Sequence, residues 1–177
     1  MTTMTIDDVK NKIRAVPDFP KKGIIFRDIT TGIKDAQTLR AMIDYLCDQF
    51  KDEKIDYIAG IESRGFIFGM PMAYKLGCGF ITVRKPNKLP AETISESYDL
   101  EYGSNSIEIH ADAIEPGASA LVVDDLLATG GTAEAVCKLV KKCGGKLIGS
   151  AFLIELNGLG GREKLKDCPK VVSMLQY

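Results

Sequence analysis

Residues Ala118–Val136 read ASALVVDDLLATGGTAEAV, and this stretch decides the fold. Ala120–Val123 is a short apolar run rich in branched side chains, which periodicity alone does not separate from buried helix. Its abrupt end in Asp124-Asp125 and a glycine pair favours a buried strand. From Thr132 the period changes. Ala133, Val136, Cys137 and Val140 recur at helical spacing, while Lys138, Lys141 and Lys142 take the other side. Gly144-Gly145 then supplies a helix stop. Strand, loop and helix follow in that order, and the chemistry belongs to the loop.

Gly130 and Gly131 let the backbone approach a ligand closely. N–H groups at a helix N-terminus, with the helix dipole and the hydroxyls of Thr129 and Thr132, make a phosphate cradle. Two carboxylates stand just upstream, at the carboxyl end of a strand, which is the usual ligand edge of an open α/β sheet. A cradle beside two acids suits a sugar phosphate, with the acids accepting hydrogen bonds from ribose hydroxyls. A P-loop would need Lys after its last glycine, where this chain has Thr132, and no G-x-G-x-x-G occurs in the loop. A bare glycine pair would equally suit a tight turn with two solvated acids. The longer string carries the distinction.

At 177 residues the chain reads as one domain, 1–177, with a substantial core. A net charge of -1 argues against a general nucleic-acid binder, so anions must be held by local placement of Lys and Arg. No apolar run has the length of a membrane span, and MTTMTIDDVK lacks the features of a signal peptide. Five cysteines, Cys47, Cys78, Cys137, Cys143 and Cys168, form no C-x-x-C pair, which is the pattern of a reduced cytoplasmic protein. His110 is the only histidine and cannot build a histidine metal site alone; it is expected on the surface of a strand. No metal-ligand cluster is expected.

Thr5 and Asp8 have the spacing of a helix N-cap, Val9, Ile13 and Val16 share a face, and Pro17 ends that helix. PDFPKKGIIFRDIT, residues 17–30, is a loop entering a strand. Residues 35–50 form the clearest helix, with Leu39, Met42, Ile43, Leu46 and Phe50 on one side. Residues 55–61 read as strand, 62–65 as loop, 66–76 as a helix stopped by Gly77, and 79–84 as strand, a second β-α-β unit. Pro71 should kink that helix or delay its start. Residues 85–117 leave the pattern and read as a mobile hairpin or flap. Residues 146–156 form an apolar strand, GREKLK a short helix and 170–175 a last strand. Alternation of strands and helices implies an α/β protein with a doubly wound, mostly parallel sheet. The flap and the N-terminal loop would cover its ligand edge.

VVDDLLATGGT resembles the phosphoribosyl-pyrophosphate (PRPP) motif of the type I phosphoribosyltransferases, in the form carried by the adenine phosphoribosyltransferases. PDFPKKGIIFRDIT, DYIAGIESRGFIFG, VRKPNKLP, SYDLEYG and the LIEL, GREKL and SMLQY stretches extend the resemblance from about Ile13 to Tyr177. It implies a five-stranded parallel core with a small hood, partly N-terminal, and transfer of phosphoribose from PRPP to adenine with Mg2+, giving AMP and pyrophosphate. It also implies a homodimer. Ala128, Thr129, Gly130, Gly131 and Thr132 match the ribose 5-phosphate loop, and Asp124 and Asp125 match the ribose-binding acids. Ser63 and Arg64 match the pyrophosphate loop, and Arg84, Lys85 and Lys88 are assigned to pyrophosphate as well. Ile25, Phe26 and Arg27 match the base-recognising segment, with Phe26 on one face of adenine and Leu156 on the other. Glu101 matches the proton acceptor, with Tyr102 beside it. A carboxylate brought to N7 of adenine could take its proton as N9 attacks the anomeric carbon.

Two positions depart from the family pattern: Lys22 stands where proline is common, and Ala91 where glycine is common. A phosphoribosyltransferase for hypoxanthine, guanine or orotate is the competing enzyme reading. A PRPP-sensing regulator would need a further DNA-binding domain and a basic surface, for which this chain has no spare residues.

Overall fold

The computed structural model describes residues 4–99 and 104–177. They group into two compact units, Met1–Tyr45 and Leu46–Tyr177. The N-terminal unit holds α1 (Ile6–Lys12), the hairpin of β1 (Arg14–Pro17) and β2 (Ile25–Asp28), the short α2 (Thr30–Lys34) and the start of α3 (Ala36–Asp48). Thr5 and Asp8 close a complete capping box on α1. Yet α1 stops at Lys12, short of Pro17. Arg14–Pro17 instead pairs antiparallel with Ile25–Asp28, Arg14 opposite Asp28 and Pro17 opposite Ile25. The Arg14 side chain grips Asp28 across the hairpin's open end, with Nε 3.0 Å from Oδ2. Val16 therefore belongs to a ladder, and its helical spacing from Val9 and Ile13 is coincidental. Val9, Ile13, Ile29 and Met42 are buried in this unit, and Asp35 caps α3 by accepting from the Thr38 amide at 2.9 Å.

The larger unit is built on five strands in the order β4-β3-β7-β8-β9. They are β3 (Tyr57–Ile61), β4 (Gly79–Val83), β7 (Ser119–Leu127), β8 (Lys146–Glu155) and β9 (Val171–Gln176). Every ladder between them is parallel. Residues Ala120, Leu121, Val122 and Val123 at the centre are fully buried, which is why β7 reads as one continuous apolar run rather than an alternating one. The connections carry α4 (Gly65–Leu76) between β3 and β4, α5 (Gly131–Lys142) between β7 and β8, and α6 (Gly161–Lys164) before β9. The α/β class and the parallel five-stranded sheet match the sequence reading.

Three details differ from it. Helix α4 starts at Gly65 and continues through Pro71 to Leu76, so no late start occurs. Proline there removes one helical amide donor, yet the helix continues across it. The segment read as a mobile hairpin or flap holds an antiparallel pair, β5 (Thr93–Asp99) and β6 (Ser104–His110), in register from Thr93–His110 to Asp99–Ser104, and it packs on the core rather than only projecting from the sheet. Ile107, Ile109 and Ile114 are buried in the main core, and Glu96 pairs with Lys142 of α5. His110 closes β6 half-buried rather than on the surface, with Nε2 shielded from solvent.

Candidate active site

Strand β7 runs four residues beyond the apolar core, and this extension makes the site. Its pairing with β3 ends at Gly60 opposite Val123, whereas the β8 side continues through Asp124–Phe152 and Leu127–Glu155. Asp124 and Asp125 are thus strand residues held on one flank by β8 and open on the other toward the loop after β3. That loop comes close because residue 65 is glycine: a Cβ there would lie 2.7 Å from the Val123 carbonyl and 3.1 Å from Asp124 Oδ1. Glu62, Ser63, Arg64, Lys85, Asp124 and Asp125 line a cleft of about 330 Å3.

Electrostatics in this cleft are built from pairs. Arg64 Nε lies 2.6 Å from Asp125 Oδ2, and Asp125 is 6% exposed. Asp124 keeps some surface on the cleft, and its Oδ1 accepts from the Asp125 amide at 2.8 Å. Burial and the neighbouring Asp125 charge push the Asp124 carboxyl well above the usual carboxylate range. Burial also raises Asp125, against the pull of Arg64. Glu62 takes Arg84 Nη2 at 2.8 Å and the Lys85 amide at 3.2 Å, and the guanidinium holds this carboxyl below its ordinary range. Arg84 also donates to the Lys88 carbonyl at 3.0 Å. Arg84 is therefore the brace of the 84–88 turn, Lys85 faces the cleft, and Lys88 is exposed.

Asp124 also borders a smaller cleft of about 90 Å3, whose wall is Leu126–Ala133. Ala128, Thr129, Gly130, Gly131 and Thr132 all face it. Gly130 sits at the N-cap of α5 in the left-handed region (φ 80°), and no side chain caps that end, so the first amides of α5 are left for a ligand. The loop is held from behind by glycine-to-glycine packing. A Cβ on Gly130 would meet the Gly161 carbonyl at 2.5 Å, and one on Gly161 would meet the Ala128 carbonyl at 2.2 Å. Arg162 next to Gly161 clamps buried Glu155, with Nε 2.9 Å from Oε1, and donates to the Val171 carbonyl at 3.0 Å.

Leu156 follows β8, half-buried, and donates its amide to the Leu127 carbonyl at 2.9 Å. In the N-terminal unit, Ile25 is 53% exposed, and half-buried Phe26 meets Phe19 edge-to-face with centroids 5.3 Å apart. Arg27 is half-buried on the same strand. Glu101 and Tyr102 lie outside the described residues. Sequence reasoning missed Glu62, Gly65 and Gly161 as parts of the site. Their signals were present, a glutamate and a glycine flanking Ser63-Arg64 and the glycine pair Gly160-Gly161 before Arg162, but their partners are distant in sequence.

A phosphate cradle and an arginine-bearing loop meeting at two ribose-sized acids define a phosphoribosyl-handling protein, and the sequence profile of the phosphoribosyl transferase domain matches residues 30–176. The chain belongs to the adenine phosphoribosyltransferase family. It is 57% identical over 170 residues to the adenine phosphoribosyltransferase of Trichodesmium erythraeum (strain IMS101), covering 96% of this chain and 99% of that protein. The Clostridium botulinum (strain Alaska E43 / Type E3) enzyme of the same name is 58% identical over 170 residues, covering 96% of this chain and 98% of its own. Among solved structures, adenine phosphoribosyltransferase from Thermoanaerobacter pseudethanolicus superposes with a TM-score of 0.94 at 50% identity, covering 98% and 100% of the two chains. The Saccharomyces cerevisiae enzyme, solved with an imino-altritol bisphosphate and adenine, gives a TM-score of 0.90 at 40% identity, covering 96% of this chain and 98% of that one.

Proposed function

We propose that this protein transfers the 5-phosphoribosyl group of PRPP to N9 of adenine, giving AMP and pyrophosphate. One observation carries the reading: Asp124 borders both the cleft lined by Ser63, Arg64, Lys85 and Asp125 and the smaller one walled by Leu126–Ala133, an arrangement that suits a sugar with a phosphate at each end. Amides and hydroxyls of Ala128–Thr132 hold the 5-phosphate. Ser63, Arg64 and Lys85 hold the pyrophosphate, with Arg84 bracing their turn and Lys88 adding charge at its rim. The two acids hold the ribose 2- and 3-hydroxyls and stabilise positive charge developing on the ring as the bond to pyrophosphate breaks. Arg64, paired with Asp125, is within reach of a pyrophosphate in the same cleft.

Ile25, Phe26 and Arg27 are assigned to adenine, with Leu156 against the ring. Adenine offers a donor at N6 beside an acceptor at N1, which one strand-like backbone can meet, and a 6-oxopurine reverses the pattern and leaves buried polar groups unpaired. Glu101, with Tyr102 beside it, is assigned to the N7 proton. Among the described residues no group of three or more His, Cys, Asp or Glu is placed to cage a metal. Mg2+ fits as an ion carried by the diphosphate, where it offsets leaving-group charge. We further assign the protein to the cytoplasm, on five cysteines, an odd number, that form no C-x-x-C pair, and to a homodimer. Ile67, Met70 and Tyr74 stand 37%, 53% and 91% exposed at helical spacing on α4, an apolar stripe of the kind a second copy covers. No helix among the described residues is long and apolar enough to cross a membrane.

Incubating the protein with PRPP, Mg2+ and each purine base tests the reaction. AMP and pyrophosphate should form from adenine, with hypoxanthine and guanine turned over far more slowly. Turnover of hypoxanthine without adenine would overturn the assignment.

A further inference from the structure

Two cysteines that the proposed reaction does not use converge on one hydroxyl. Cys137 lies on the buried face of α5, and Cys168 lies half-buried in the connection from α6 to β9. Ser150 of β8 is wholly buried between them, its Oγ 3.5 Å from Cys137 Sγ and 3.2 Å from Cys168 Sγ. Cys168 Sγ also donates to the Lys170 carbonyl at 3.4 Å. These residues come from three separate elements, and nothing in the phosphoribosyl site requires two sulfurs to meet there.

We propose that Cys137 and Cys168 form a dithiol site that a hydroperoxide oxidises to a disulfide, with Cys168 attacking first and Cys137 resolving. The Cys168 thiolate attacks one peroxide oxygen: an S–O bond forms, the O–O bond breaks, and the hydroxide released takes up the proton that Cys168 gave up. Cys137 sulfur then attacks the Cys168 sulfur. An S–S bond forms, the S–O bond breaks, and hydroxide departs as water with the Cys137 proton. Two thiols lose two electrons, and hydrogen peroxide gains them and ends as two waters.

The environments of the two sulfurs suit these unequal roles. Cys168 is the more accessible, and hydrogen bonds from Cys137 and Ser150 bring its thiol down to about 6 despite partial burial, which suits it to attack first. Cys137 is pushed up by the Cys168 sulfur and by burial, and keeps its proton until the second step. Burial raises the half-buried thiols of Cys78 and Cys143, which makes them poorer nucleophiles. The crosslink would tie α5, whose first turn is the phosphate cradle, to the segment that leads into β9.

The test uses the reduced full chain treated with one equivalent of hydrogen peroxide, alkylated and digested without reductant. A linked peptide pair containing Cys137 and Cys168 is expected, with Cys47, Cys78 and Cys143 recovered alkylated and the link reversed by dithiothreitol. The Cys137→Ser protein should instead hold a sulfenic acid at Cys168, trapped by dimedone, and Cys168→Ser should form neither product. In the reduced parent, alkylation of Cys168 by iodoacetamide should rise through about pH 6. First oxidation at Cys47, Cys78 or Cys143, or dimedone adducts at Cys168 in the parent with no link to Cys137, would overturn the proposal.

Discussion

At the scale of single residues, Asp124 and Asp125 set function against stability. Both carboxyls bind their proton more tightly in the folded chain than in the unfolded one, Asp124 because of burial and then Asp125's charge, Asp125 because of burial. A raised folded-state value stabilises fully below the unfolded value of 3.8 and loses that contribution as pH rises through the folded values. At neutral pH the ionised pair therefore works against folding. Asp124→Asn should raise Tm at pH 7, with the gain shrinking toward pH 4, while kcat/KM falls on the order of 100-fold because a charge aimed at the transition state is gone. Thermal melts across pH and steady-state assays check both halves; a lower Tm at pH 7 would contradict the account. Glu101→Gln should slow single-turnover AMP formation on the order of 100-fold with PRPP binding unchanged. A rate within about threefold of the parent would remove Glu101 from proton transfer. The acids and the glycine pair were legible in the sequence because the strand, turn and helix that carry them are contiguous. The pairing of Arg64 with Asp125, and of Glu62 with Arg84, was not, because each joins residues far apart along the chain.

At the scale of elements, the phosphate loop is shaped by what lies behind it. Gly161 and Gly130 pack backbone to backbone, and Arg162 fixes the position of Gly161 through Glu155. Gly161→Ala places a methyl where the Ala128 carbonyl lies, and the loop must move. A displacement of roughly an ångström in a positioning loop can cost about 100-fold. KM for PRPP is expected to rise at least tenfold, within that bound, with α5 intact by circular dichroism. An unchanged KM would mean that the loop yields without effect on the ligand. Helices α3, α4 and α5 were readable from periodicity within a few residues of their ends. The β1–β2 hairpin was not, because Arg14–Pro17 is four residues long and its apolar spacing continues that of α1 by coincidence. Only its partner strand identifies it.

At the scale of the molecule, the alternation of strands and helices was enough to foresee a parallel sheet, but not which outer surfaces remain uncovered. The stripe of Ile67, Met70 and Tyr74 leads to a quaternary prediction. Tyr74 is 91% exposed, so Tyr74→Glu should leave the protomer folded and, if the proposed homodimer uses this stripe, give a monomer in sedimentation velocity. A dimer undiminished by the change would move the interface elsewhere. The strand order has a further, kinetic consequence. Tyr57 of β3 must find Ala120 of β7, and between them the chain lays down α4, β4 and the whole β5–β6 hairpin. Closing so long a loop costs entropy before any rung of the ladder repays it, and topologies rich in such distant pairings fold slowly. The β5–β6 hairpin needs only neighbours, so it and the helices can form long before the sheet closes. Time spent with the apolar flank of β7 uncovered is when this chain is most exposed to aggregation, so dilution and chaperones should improve the yield of refolded protein more than any change at the active site.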